Sequence, residues 1–234
     1  MNHFTRRNFL FLSSGAAAGS LFVPGQAEAE ERGQFDQSGL VTGMPKALRH
    51  TSIPGFLSAE QIAPHHTAHY GGALKGYVAA DAKLEGSIQS GTTLDADAYG
   101  AIHRSRQSKG NSVILHEMYF DGLAEKAPDP QADVRAAIEK RFGSVEKWAD
   151  DFQASAKTAA GWAMLVSHPV NGKLYNVVSD EHAQGPLWMA VPLVVIDVYE
   201  HAFYIDYQNR KAEYVEKFMD HIDWNEVNVR YRIT

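Results

Sequence analysis

The sequence contains no cysteine among its 234 residues. Disulfides, thiolate metal sites and cysteine nucleophiles are therefore excluded from its chemistry. It also lacks an excess of basic residues, because 22 lysines and arginines stand against 28 aspartates and glutamates, for a net charge of −6. An acidic chain without a basic stretch is a poor candidate for nucleic-acid binding.

A hydrophobic run long enough to cross a membrane is missing as well. The best candidate, residues 9–23, is shorter than the about 20 apolar residues that span a bilayer. Arg6 and Arg7 precede this run and the small-residue triplet AEA comes after it at residues 27–29, which is the pattern of a cleavable signal peptide. The paired arginines predict export by the twin-arginine machinery. We therefore expect residues 1–29 to be removed and the mature protein to be periplasmic or secreted, without a membrane anchor.

Breaker residues divide the rest of the chain, and the prolines at 128 and 130 form the clearest internal boundary. After an irregular lead-in at residues 30–55, helical spacing predicts a helix over 58–84, interrupted near Pro64 and the glycines at 71 and 72, then a loop over 86–92. Further helices are predicted at 112–124, 132–142, 144–159, 211–221 and after Trp224. Short β-rich runs lie at 162–167, 174–179 and 191–197.

These patterns predict an α+β fold of two domains. Residues 30–126 form a helical domain built on an antiparallel helix hairpin. Residues 131–234 form an α+β domain with a small three-stranded antiparallel sheet flanked by helices.

Asp197 and His201 carry the strongest chemical signal. Asp197 ends an apolar strand, so its carboxylate arrives in the protein interior, where it needs a partner. A metal ion is one good partner, and histidine is the usual companion ligand. The pair alone is weak evidence, since such spacings are common on solvated faces.

The string DVYEHAFY at residues 197–204 resembles the signature of the iron/manganese superoxide dismutases, with Tyr199 where the family usually has tryptophan. The resemblance continues through GW at 161–162, PL at 192–193 and WNEV at 224–227, and covers roughly residues 58–231. It implies one Fe or Mn ion per subunit, held by a histidine from each of the first two long helices and by Asp197 and His201. The string VILHEMYF at 113–120 resembles the second of those helices and makes His116 the second ligand.

Three histidines compete to be the first ligand. His65 and His66 fit the distance from the helix start at Ser58. His69 fits the residues on its C-terminal side, because HYG at 69–71 resembles the family motif and Tyr77 falls eight residues on, where the family has its gateway tyrosine. Since His69 and Tyr77 share a helix face, we prefer His69, which puts an excess of four residues between Ser58 and His69.

The resemblance also implies residues that act around the ion. In the family, a glutamine from one of two positions often contacts bound solvent; this chain has Ser112 at one of those positions and Ala183 near the other. We nominate the neighbouring His182 for this contact, with Gln184 as the alternate.

Further residues would enclose the site and complete it from a second subunit. Trp162 and Tyr199 would wall the site off from water, while the gateway histidine of the family is replaced by Ala73. In the family, the residues at Glu200 and Tyr204 reach across a two-fold interface towards the ligand histidine of the partner, which implies a homodimer.

Three imidazoles and one carboxylate, without sulfur, suit iron or manganese, whereas zinc cannot change oxidation state. The expected function is therefore superoxide dismutation, which converts superoxide to O₂ and H₂O₂. Ala73 and Ser112 leave open a family member that binds metal but has little or no dismutase activity. A non-haem iron oxygenase is disfavoured by the fourth protein ligand, and a metal-free binding module is the remaining alternative.

Overall fold

The computed structural model describes residues 35–92 and 94–232, so the expected signal peptide, residues 1–29, lies outside the described residues. Within the described part of the chain, no helix combines the length and the apolar character needed to cross a bilayer. The expected fold class is confirmed: the N-terminal half is helical, and the C-terminal half holds a three-stranded antiparallel sheet between helices.

The N-terminal half is built around two long helices that pack on each other as a hairpin. A single helical turn (α1, Gly39–Thr42) precedes a short helix (α2, Ala59–Pro64) that the Ser58 side chain caps by accepting from the backbone N–H of Gln61. The hairpin comes next, as α3 (Gly71–Ser90) and α4 (Ala96–Asp121).

Each hairpin helix extends past one of its predicted bounds. Helix α3 continues through Gly86 to Ser90 and is capped by Gly91, whose φ of 64° lies in the left-handed region that glycine adopts readily. Helix α4 begins at Ala96 because the Asp95 side chain accepts hydrogen bonds from two N–H groups of the first turn. The predicted loop over 86–92 was wrong because a glycine inside a helix costs only about 1 kcal/mol, which packing between the two helices offsets.

A π-helical segment, His65–Tyr70, connects α2 to α3 and is the main irregularity of the first half. Pro64 has no backbone N–H, so the regular i→i−4 hydrogen-bond ladder is already broken at its entrance. A π-helix has more residues per turn than an α-helix, which rotates every later side chain relative to the α-helical expectation. The expected interruption near Pro64 is therefore present, as a change of helix type.

The C-terminal half begins with helices α5 (Ala132–Phe142) and α6 (Val145–Thr158) and continues into the sheet. Its strands are β1 (Trp162–His168), β2 (Lys173–Ser179) and β3 (Val191–Asp197), in the order β2-β1-β3. The last helices are α7 (Tyr204–Tyr207), α8 (Lys211–Phe218) and α9 (Trp224–Arg232). Gly172, with φ 63°, makes the turn between β1 and β2.

The register of the sheet positions the site, because Trp162 lies directly opposite Asp197 in the β1–β3 ladder. Gly161, one residue earlier, accepts a hydrogen bond from the backbone N–H of Val198. A Cβ at Gly161 would lie 2.8 Å from the carbonyl oxygen of Ser179 and 3.0 Å from the Tyr199 ring, so only glycine fits there. The end of β3 is therefore held tightly against the start of β1.

Buried Arg230 ties the two halves together. Its guanidinium donates to the backbone carbonyls of Leu193, in β3, and Met118, in α4, at 2.9 Å each. This holds α4, which carries His116, against β3, which ends at Asp197.

Candidate metal centre

Four side chains from both halves of the chain converge at one buried point: His65, His116, Asp197 and His201. One potential ligand atom from each lies within 4.8 Å of all the others. His65 comes from the π-helical segment and His116 from α4, while Asp197 ends β3 and His201 lies in the short 3₁₀ turn Glu200–Ala202. The cluster therefore requires the packing of four separate elements.

The Asp197 carboxylate is the centre of the cluster. Its Oδ2 lies 3.1 Å from Nε2 of His65, 3.6 Å from Nε2 of His116 and 3.2 Å from Nε2 of His201. Its Oδ1 accepts a hydrogen bond from the backbone N–H of Tyr199 at 3.0 Å. One carboxylate oxygen is thus used to orient the group, and the other faces the three imidazoles.

His116 fits the requirements of a metal ligand closely. Its Nδ1 donates to the Ser112 carbonyl oxygen at 2.7 Å, which leaves Nε2 as the ring atom with a free lone pair. That Nε2 is buried and has no hydrogen-bond partner among the described residues. A buried polar atom without a partner is costly, and a cation between it and Asp197 would satisfy it.

The protonation states also suit a cation. Burial lowers the pKa of His116 to about 3, and burial likewise lowers the pKa of His65, against the opposing hydrogen bond to Asp197. Burial alone would raise the pKa of the Asp197 carboxyl, but hydrogen bonds from His201 and His65 outweigh it and the pKa lies below its ordinary value. At neutral pH, the imidazoles of His65 and His116 are therefore uncharged and can donate a lone pair to a cation, while Asp197 is an anion.

The preference for His69 as the first ligand is corrected by the structure, which brings His65 into the cluster instead. The His69 ring stacks on the outer side of the His201 ring, with centroids 3.8 Å apart, and the residue is exposed. His66 points elsewhere and donates from Nε2 to the Lys46 carbonyl at 2.8 Å.

Tyr77, the expected gateway tyrosine, follows the π-helical segment along the chain. It lies in α3, where its ring packs 3.1 Å from the position that a Cβ on Gly110 would take. Among the described residues, no ring contact joins it to the four clustered side chains. The position eight residues after His65 is Ala73, which is buried. The gateway role expected of Tyr77 therefore stays a prediction.

The expected wall residues lie beside the cluster. Trp162 is fully buried, and its ring meets that of His116 edge-on at 5.1 Å. Tyr199 stacks on His201 at 5.2 Å, with its hydroxyl donating to the Asp180 carbonyl. His182 accepts from the Trp162 indole N–H at its Nδ1, 3.0 Å away, so its proton lies on Nε2. Its ring centroid lies 6.3 Å from that of His116.

Most of the other nominated residues are nearer the surface. The alternate, Gln184, is exposed, as is its neighbour Ala183, while Ser112 is buried beneath His116. Glu200 is exposed and Tyr204 is 49% exposed. His201 has 19% of its side chain exposed, compared with at most 1% for the other three clustered residues. His201 is therefore the member of the cluster that lies nearest the surface of the single chain.

Gln61 is a site residue that the sequence pattern did not reveal. It is fully buried in α2, one helical turn before His65. Its Nε2 donates to the His201 carbonyl at 2.6 Å, and its Oε1 accepts from the Ile205 N–H at 2.9 Å. The i, i+4 spacing from His65 could have indicated a shared face, but the long-range partners could not be read from the sequence.

Replacing Gln61 with leucine is expected to loosen the 3₁₀ turn that carries His201. Two part-buried backbone groups lose their partners, at a cost of up to about 1 kcal/mol each, and metal affinity should fall about 10–100-fold. Urea unfolding and competition with a chelator measure the two effects. Gln107→Leu, at an exposed glutamine of α4, is the control, and equal metal affinity in both variants would contradict the role given to Gln61.

The arrangement by itself defines a class of protein: a mononuclear metalloprotein with three imidazoles and one carboxylate around a single buried position. The family description "iron/manganese superoxide dismutases, C-terminal domain" matches residues 130–230. The chain is 32% identical over 188 residues to superoxide dismutase [Mn] 2 of Haloferax volcanii, covering 80% of this chain and 93% of that protein. The chain belongs to the iron/manganese superoxide dismutase family.

Relatives named for iron match equally well. Superoxide dismutase [Fe] of Cupriavidus metallidurans is 35% identical over 178 residues, which cover 75% of this chain and 88% of that protein. Superoxide dismutase [Fe] of Aquifex aeolicus is 32% identical over 183 residues, covering 75% and 84%. Similarity to both groups means that overall identity does not select between the two metals.

Proposed function

We propose that this superoxide dismutase holds one iron or manganese ion between His65, His116, Asp197 and His201. The observation that carries the proposal is the buried Nε2 of His116, which has no partner among the described residues and faces the Asp197 carboxylate. Three neutral nitrogens and one anionic oxygen form a donor set that suits either metal. Bound there, the ion would supply the one-electron couple that dismutation of superoxide to O₂ and H₂O₂ requires.

The protein groups would hold the site dry and in a fixed geometry. The Ser112 carbonyl fixes the ring orientation of His116, and the Tyr199 N–H fixes that of Asp197. Trp162 and Tyr199 exclude water from two sides. Because the Trp162 indole occupies Nδ1 of His182, the Nε2–H of that ring remains as the donor available for the solvent contact that we assign to it.

Removal and return of the metal test this proposal. The purified protein is expected to contain about one ion per chain and to consume superoxide. Dialysis against a chelator at mildly acidic pH should abolish activity, because protons and chelator both compete for the ligands. Reconstitution with iron or manganese, separately, should restore it with at least one metal. Full activity in protein shown by elemental analysis to be metal-free would overturn the proposal.

We further propose a homodimer that buries the surface around His201. Support comes from exposed Glu200 and half-exposed Tyr204, which flank this least buried member of the cluster. A carboxylate from a second subunit could orient the His201 ring through its remaining nitrogen. Sedimentation should give twice the chain mass, and Glu200→Ala should weaken both dimerisation and metal retention, whereas a monomeric active wild type would reject the dimer.

Export remains a proposal based on residues 1–29. The paired Arg6 and Arg7 ahead of an apolar run support the twin-arginine route, which would deliver the folded protein to the periplasm or the medium. Replacing both arginines with lysine should retain the protein in the cytoplasm, as cell fractionation would show. Unchanged export of that variant would contradict this route.

A further inference from the structure

A concave basic site lies on the C-terminal half, between α5, the β1–β2 turn with strand β2, and the end of α9. The cavity has a volume of about 690 Å³, within the range of small-molecule sites. It shares no lining residue with the four clustered metal-site side chains. Among the described residues, four cationic side chains line it against one carboxylate, from Asp133: Lys140, Arg141, Lys173 and Arg232. On an acidic protein, this concentration of positive charge is unusual.

Arg141 is held in place by three neighbours. Its Nε donates to the Leu174 carbonyl at 3.0 Å. The guanidinium carbon lies 5.3 Å from the ring centroid of Phe142 and 5.7 Å from that of Tyr175. Stacking against aromatic rings and a fixed Nε leave the two terminal nitrogens as a planar fork, which matches the oxygens of a phosphate or carboxylate.

The charge around this fork is not balanced by ion pairs within residues 35–92 and 94–232. Across those residues, no ion pair involves any of the four cations, whereas the nearby Arg135 is paired with Glu139. Ala136, Ala137 and Leu174 add apolar surface to the lining of the cavity. Several such cations around a fixed guanidinium favour a doubly charged anion over a single carboxylate.

We propose that this cavity binds a phosphate-bearing small molecule, with Arg141 clamping the phosphate and Lys140 and Lys173 neutralising its charge. A long polyanion such as nucleic acid is disfavoured, because the cations line one bounded cavity and the protein as a whole is acidic. The inference does not depend on the metal centre, and its test does not use dismutase activity.

Calorimetric titration of the full, metal-loaded protein with AMP, ribose 5-phosphate and adenosine tests the proposal. At about 100 mM salt, where long-range attraction between exposed charges is screened, AMP is expected to bind and adenosine is not. Binding of ribose 5-phosphate as tight as AMP would assign recognition to the phosphate alone, and weaker binding would add a contribution from the base. Either result supports a phosphate site.

Matched variants make the test specific. Arg141→Gln should weaken AMP binding at least about tenfold, and Lys173→Gln should weaken it less, both with unchanged melting temperatures. Lys75→Gln removes one exposed cation from α3, outside this cavity, and should leave binding unchanged. No AMP binding by the wild type, equal binding of adenosine, or equal loss in the Lys75 variant would overturn the proposal. If Arg141→Gln proves unstable, Lys140→Gln provides the same comparison.

Discussion

His65→Ala is expected to abolish both metal retention and superoxide consumption, whereas His69→Ala is expected to retain the metal. His65 is 1% exposed and its Nε2 lies 3.1 Å from the Asp197 carboxylate, so its loss removes one of the four donors and opens a buried gap. His69 is exposed and meets the cluster only through ring contacts, with His201 at 3.8 Å and with His65 at 6.3 Å between centroids. We expect activity to fall more than about 100-fold in the first variant and much less in the second.

Elemental analysis and a superoxide-consumption assay on both purified variants provide the measurement, with circular dichroism to establish that each is folded. The two histidines are four residues apart in one segment, so each variant is the matched control of the other. Metal lost from His69→Ala but kept by His65→Ala would reverse the assignment and return the first ligand to the position that the sequence favoured.

Asp197→Asn should also lower metal content and activity, for an electrostatic reason. Asparagine has nearly the same shape and can still accept the Tyr199 N–H, but it supplies no negative charge. The cluster would then offer four neutral donors to a cation, and we expect metal content to fall by more than about tenfold and activity with it.

The matched control is Asp150→Asn, which removes one charge from an exposed position of α6. Metal content and superoxide consumption of this control should equal those of the wild type. Chemical unfolding of the metal-free proteins separates loss of a ligand from loss of the fold. A folded Asp197→Asn protein with normal metal content would contradict the role of the carboxylate.

Short-range patterns predicted much of the C-terminal half. Strand β3 was predicted with its observed bounds, because a run of Val, Leu and Ile bounded by a polar residue has one simple interpretation. The signature at 197–204 located Asp197 and His201, and His116 lay in a helix with a recognisable sequence. The structure brings these three side chains together.

The first half was harder for a physical reason. Spacing arguments assume one helical period, and the π-helical segment after Pro64 changes that period within six residues. His69 was preferred partly on its α-helical spacing to Tyr77, and the structure brings His65 into the cluster instead. The contacts of Gln61 with His201 and Ile205 depend on how distant elements pack, which no local pattern encodes.

The four metal-binding side chains lie far apart in the sequence, and this affects how the protein folds and takes up its metal. His65 and Asp197 are 132 positions apart, so their meeting requires closure of a long loop that only the nearly complete native structure can stabilise. An ion that binds only this assembled state favours it by mass action and slows the loss of any one of the four elements. Resistance to proteolysis should therefore report on metal loading, and metal-starved cells should accumulate a more easily degraded form of the same chain.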